Sequence, residues 1–117
     1  MSPIVRIALA NPRYPATPDE SVMLATGAIA EAGRAGATVI CFPEGFVPGY
    51  RGMGHAPPPH DPAFLERAWR IIADAARDHA VAVVLGTERR IDQGLAITTL
   101  VIDRDGSTLG WQDKVQL

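Results

Sequence analysis

Apolar and polar positions along the chain alternate between two rhythms. Ile4-Val5-Arg6-Ile7-Ala8-Leu9-Ala10 is short, mostly apolar and rich in β-branched residues, which predicts a strand. Thr17-Pro18-Asp19-Glu20 then reads as a helix start: Thr17 can cap, Pro18 suits the first helical position, and Glu20 falls three after the cap. That helix is expected to run to about Ala35 and stop at Gly36, where a left-handed residue costs little. Thr38-Val39-Ile40-Cys41-Phe42 is a continuous apolar run, as in a strand covered on both faces. The stretch from Pro43 to Pro59 is dense in proline and glycine and predicts a structured loop. Asp61-Pro62 opens a second helix, again cap plus proline, with apolar residues at helical spacing to about His79. Residues 81–86 predict a third buried strand. Residues 95–102 and 108–112 predict two more, joined by a hairpin over Asp103-Arg104-Asp105-Gly106.

Strands alternating with helices imply an α/β layered fold, and the closing hairpin makes the sheet mixed. There is no internal repeat, low-complexity tract or linker, so residues 1–117 read as one unit. Composition agrees: 47% hydrophobic and 21% charged is a globular balance. A net charge of −2 gives no electrostatic reason to expect nucleic acid or an anionic membrane as a partner. No apolar run approaches the roughly 20 residues that span a bilayer, and the first residues lack the pattern of a secretory signal. With the single cysteine, Cys41, an internal disulfide is ruled out, and a cytoplasmic location is expected.

The basic residues are lopsided: ten arginines against one lysine, Lys114. Lysine is a compact, strongly hydrated point charge that arginine does not imitate. Lys114 follows the last strand, and on position alone it reads as a surface lysine beside Asp113. Glu44 follows the second strand directly, where α/β sheets present functional side chains, but on position alone it reads as a solvated or helix-capping glutamate. Cys41 lies among apolar neighbours three positions before Glu44, an odd offset that puts the two on opposite sides of a strand unless Pro43 twists the chain, and it is expected to pack in the core. His55 and His60 bracket Ala56-Pro57-Pro58-Pro59; an extended proline segment holds them about 15 Å apart, too far to share one metal ion. Trp69 and Trp111 are expected to pack, and Arg89-Arg90 to form a solvated face near the hairpin.

Taken together, Phe42-Pro43-Glu44, then Phe46-Val47-Pro48-Gly49-Tyr50, then Gly86-Thr87-Glu88, an Asp-Gly hairpin and a strand ending in Lys114 resemble the nitrilase superfamily of carbon–nitrogen hydrolases. The resemblance covers essentially the whole chain and about the first half of a family catalytic domain. It implies a four-layer αββα sandwich, of which residues 1–117 supply about half, as an N-terminal portion without the cysteine-bearing segment. It also implies a Glu–Lys–Cys triad that hydrolyses amides, nitriles or N-carbamoyl compounds through a thioester, with no cofactor and no metal. Glu44 is then the general base and Lys114 the group that holds developing charge, while Tyr50 and Glu88 become candidate substrate-binding residues, Glu88 alternatively steadying Lys114 or lying on the surface. Two departures leave the substrate class open: Leu95-Ala96-Ile97-Thr98 stands where many relatives carry Tyr-Asn, and Gln112-Asp113 replaces a usual basic residue. Half a sandwich would leave one sheet face bare, so the expected partner is a homo-oligomer or a complementary C-terminal half. The rival expectation is a catalytically inactive truncated paralogue that serves in binding or assembly.

Overall fold

A computed structural model describes residues 4–114. Along the chain run β1 (Ile7–Leu9), α1 (Pro18–Arg34), β2 (Val39–Cys41), α2 (Pro62–His79), β3 (Ala82–Ile91), β4 (Gly94–Ile102) and β5 (Thr108–Asp113). They form one five-stranded sheet in the order β1-β2-β3-β4-β5, with parallel pairing among the first three and antiparallel pairing thereafter. Two successive crossovers step in the same direction across the sheet. Because such crossovers are right-handed, both helices fall on one face.

That face holds the core. The register sets Ile40, Val83 and Ile102 in one row across three strands, with Leu85 opposite Leu100 in the next. All five are 2% exposed or less. They pack with Ala25 and Ile29 of α1 and with Leu65, Ala68, Ile72 and Ala76 of α2. The alternate residues point the other way. Val39, Cys41, Ala82, Val84 and Val101 are only half-buried, and Ile7 and Leu9 on the edge strand are 59% and 78% exposed. Cys41 therefore belongs to this open face and not to the core, which corrects the expectation for it.

Both helix starts follow their sequence signals. Thr17 accepts from the Glu20 amide at 3.1 Å and Asp61 from the Phe64 amide at 3.1 Å, each followed by proline. The Glu20 carboxylate reaches back to the Ala16 amide at 2.7 Å, one residue earlier than a standard capping box, because Arg13 also claims it. Helix α1 closes at Gly36, with φ of 78°.

Two boundaries differ from expectation. Strand β1 is shorter, although ladder bonds still reach Arg6 and Ala10. Strand β3 does not stop at Gly86 but continues five residues to Ile91, and a tight turn at Asp92-Gln93 leads into β4. Its charged end, Glu88-Arg89-Arg90, looks like loop in isolation; pairing with β4 and partners distant in sequence keep it extended. The β4–β5 hairpin sits as expected, with the Gly106 amide donating to the Asp103 carbonyl at 2.9 Å.

Helix α2 ends on Ala80 in the left-handed region, with φ of 53°, where glycine is the usual residue. Its bonds, Ala80 amide to Arg77 and Val81 amide to Ala76, hold it there. The left-handed penalty of an L residue predicts that Ala80→Gly stabilises the fold by about 1 kcal/mol. A raised urea midpoint at unchanged slope would register it.

Candidate functional site

The site is built around a missing Cβ. The Phe42 amide donates to the Val84 carbonyl at 2.9 Å, carrying the β2–β3 ladder one residue past β2. Pro43 has no donor, and here the chain leaves the sheet plane. It rises onto the open face and crosses β3 at Gly86. A Cβ on Gly86 would lie 1.9 Å from the Pro43 oxygen and 2.8 Å from the Glu44 Cα. The chain then turns down again: the Val47 amide donates to the Gly86 carbonyl at 3.2 Å, and the Val47 carbonyl accepts from the Thr87 hydroxyl at 2.7 Å. The Trp69 indole donates to the same hydroxyl at 3.1 Å. Phe46 and Val47 are buried, and Phe46 stacks on Phe42 with centroids 5.7 Å apart. Glu44 is thus held by backbone bonds and apolar packing on both sides.

Lys114 arrives from the other direction. Its amide donates to the Ile97 carbonyl at 2.8 Å, extending the β4–β5 ladder one residue. Its Nζ lies 3.2 Å from Glu44 Oε1, with side-chain exposures of 49% and 41%. Residues 70 positions apart in sequence therefore meet as an ion pair on the open face. Asp113, the sequence neighbour, does not compete for the ammonium. Arg89 grips it through two bonds of 3.0 Å, while the guanidinium lies 4.8 Å from the centroid of Trp111. Trp111 meets Trp69 edge-on at 4.8 Å, so both tryptophans pack. Arg90 is exposed.

Glu88 is 4% exposed and so not a surface acid. Its Oε1 accepts from Arg51 Nε at 2.8 Å, and its Oε2 from Arg51 Nη2 at 3.0 Å and pairs with His60 Nδ1 at 2.7 Å. Tyr50 is half-buried on the Glu44 loop, with its ring against Gly45 and Gly52 and its carbonyl accepting from the Tyr14 hydroxyl at 2.9 Å. The two bracketing histidines go separate ways: His60 to Glu88, His55 onto the Tyr14 ring at 3.7 Å. Among the described residues no group of three His, Cys, Asp or Glu side chains is placed to hold a metal. Cys41 is a free thiol on the same sheet face as Glu44, because the chain leaves the strand at Pro43 before strand alternation can separate them. Arg51 and His60 were not singled out as site residues from sequence. The sequence held no local signal for them, because Glu88 follows the predicted end of its strand at Gly86 and its need for a cationic partner becomes visible only once β3 is seen to continue and bury it.

The family of carbon–nitrogen hydrolases matches residues 5–117. An aliphatic nitrilase from Rhodococcus rhodochrous is 37% identical over 101 residues, which is 75% of this chain and 28% of that enzyme. A bromoxynil-specific nitrilase from Klebsiella pneumoniae subsp. ozaenae is 33% identical over 105 residues, 80% of this chain and 29% of that enzyme. Among solved structures, an amidase from Nesterenkonia sp. superposes with a TM-score of 0.76 at 28% identity, covering 97% of this chain and 43% of the amidase. A mutant of the amidase from Nesterenkonia sp. AN1 has been solved with butyramide. Another carries acrylamide added at its active-site cysteine. This chain spans under a third of the nitrilases and under half of the amidase.

Two outcomes follow from the geometry. Gly86→Ala must drive the Pro43–Glu44 backbone off β3, destabilising the fold by about 3 kcal/mol; a urea titration reads the loss, and loss of the Val47 amide's exchange protection locates it. The second concerns Asp113, whose carboxyl Arg89 holds below the usual carboxylate range. A depressed pKa stabilises above the unfolded value and ceases to as pH falls through the folded one. Stability of the Asp113→Asn variant is therefore expected below the parent's at pH 7, the two converging in acid. Urea midpoints from pH 7 down to about pH 2 test it.

Proposed function

This chain belongs to the carbon–nitrogen hydrolase family, and from that premise we propose that it carries the carboxylate and ammonium of a hydrolytic centre for small amides or nitriles. The observation that supports this reading is the Glu44–Lys114 pair, 3.2 Å apart over Gly86 on a sheet face that no helix of the described residues covers. The nitrilases it resembles and the amidase solved with butyramide point to a compact substrate with a terminal C–N bond, an N-carbamoyl group being the further member of that class.

In the proposed reaction the nucleophile is a cysteine thiol supplied from outside residues 1–117. Glu44 takes its proton as general base. The thiolate attacks the amide carbon, and negative charge gathers on the substrate oxygen. Lys114, a fixed point charge, stabilises that oxygen, and collapse to the thioester expels ammonia that takes its proton from Glu44. Water, deprotonated by Glu44, then hydrolyses the thioester to the carboxylic acid and restores the thiol. A nitrile follows the same route with a bound nitrogen in place of the oxygen and a water added. No cofactor enters these steps. In this reading Tyr50, on the loop that carries Glu44, edges the substrate pocket.

Half exposed, a Glu–Lys pair contributes under about 1 kcal/mol, because water screens it. The same pair acts strongly on a developing charge only in a site from which water is excluded. A layer over the open face supplies that exclusion in this reading, whether from further residues of the same polypeptide or from a companion or second copy. The polypeptide or complex that contains this chain is expected to release ammonia from short aliphatic amides or nitriles. Glu44→Gln and Lys114→Ala should each lower kcat/KM by about 10²-fold or more. Undiminished turnover in Lys114→Ala would remove its assigned role; a stable assembly without any turnover would favour a binding subunit.

A further inference from the structure

Resting on that hydrolase reading, we propose that Arg51, Glu88 and His60 form a clasp that sets Glu44 against Lys114, with Glu88 and Arg51 as positioning residues. Every oxygen of the Glu88 carboxylate is already engaged by Arg51 or His60, and the Glu88 and His60 side chains are 6% and 5% exposed. A carboxylate so enclosed is not free to receive substrate. Its burial is tolerable only because a guanidinium and an imidazole compensate it.

The partners of the clasp come from both limbs of one loop. Arg51 lies seven residues after Glu44 and also donates to the carbonyls of Pro57 at 3.3 Å and Pro58 at 2.9 Å. His60 lies at the far limb, immediately before the Asp61 cap of α2. One carboxylate on β3 therefore gathers the outgoing limb, the proline segment and the returning limb of the loop that bears Glu44. Glu88 stands two residues beyond Gly86 on the same sheet face, about 7 Å along the strand. The anchor thus grips the loop within one side-chain repeat of the place where Glu44 rests.

The clasp also settles a competition. Ile97 is the ladder partner of Glu88, and its carbonyl receives the Lys114 amide. Glu88 and Lys114 therefore flank Ile97 from adjoining strands, about 10 Å apart between backbones. Two carboxylates are available to the only ammonium side chain of the sequence. With Glu88 committed to Arg51 and His60, Glu44 is the acceptor that remains.

The test uses Glu88→Gln, which keeps side-chain volume, and Arg51→Gln, at a side chain 31% exposed whose loss leaves the core intact. On the folded chain, amide exchange is expected to quicken by about tenfold or more at Phe46 and Val47, while Val83 and Leu85 keep the parent's protection. With Lys114 labelled by ¹³C reductive methylation, its methyl signal should move towards the position found in Glu44→Gln. Unchanged exchange at Val47 together with an unchanged Lys114 signal would overturn the clasp, and so would a uniform loss of protection along β3. In the active assembly, each variant should lower kcat by about 10²-fold with KM within about twofold. Parent hydrolysis with undiminished kcat in both variants refutes the positioning role and leaves the hydrolase reading standing. Absence of hydrolysis in the parent, with the exchange and label results as expected, refutes the hydrolase reading and leaves the clasp.

Discussion

The structure depends on the contact between the Pro43 carbonyl and the bare Cα of Gly86. Any side chain at residue 86 would occupy the space through which the loop passes. Because it is absent, the chain can leave β2, cross its neighbouring strand at van der Waals distance and return to donate the Val47 amide to the same residue. A crossing this tight removes freedom from the loop at the residue that bears the carboxylate. Glu44 is thereby placed by backbone bonds and buried Phe46 and Val47, and its own side chain remains free to face Lys114.

The two faces of the sheet divide the labour. Helices α1 and α2 cover one, and there the packing of Ile29, Leu65, Ile72, Val83 and Leu85 supplies the cohesion. The other bears the ion pair, the free thiol of Cys41 and a set of half-buried aliphatic side chains. Polar groups at the margin of an apolar surface are well placed to gain strength when that surface is covered, since the same charges interact several-fold more strongly away from water. Membership of the carbon–nitrogen hydrolase family fits this arrangement, and the superposition with the amidase from Nesterenkonia sp. extends over nearly all of the chain.

Most of the element order was legible in the sequence because the rhythm of apolar residues and the cap signals at Thr17 and Asp61 are local. The end of β3 was not. Glu88, Arg89 and Arg90 carry the composition of a turn, and what keeps them extended lies elsewhere: Arg51 37 residues away, His60 28 away, Asp113 24 away. Cys41 misled for a related reason. Its neighbours are apolar, but they serve two different faces, and only the layering shows which one is covered. Glu44 and Lys114 were ambiguous singly and became candidates only through resemblance; their encounter relies on Gly86 and on the β4–β5 register, neither of which has a local signature.

The tip of the last hairpin has a reach beyond its own turn. Gly106 rests on α2, where a Cβ would come within 2.9 Å of the Ala73 carbonyl and 3.2 Å of the Arg77 Cβ. Helix α2 begins beside His60, and β5 runs from this tip towards Lys114. The hairpin tip is thus fitted against the helix that follows the Glu44 loop, while its second strand leads to Lys114. A methyl group at residue 106 would meet the backbone of α2, so the hairpin seats against the helix only because that position is bare.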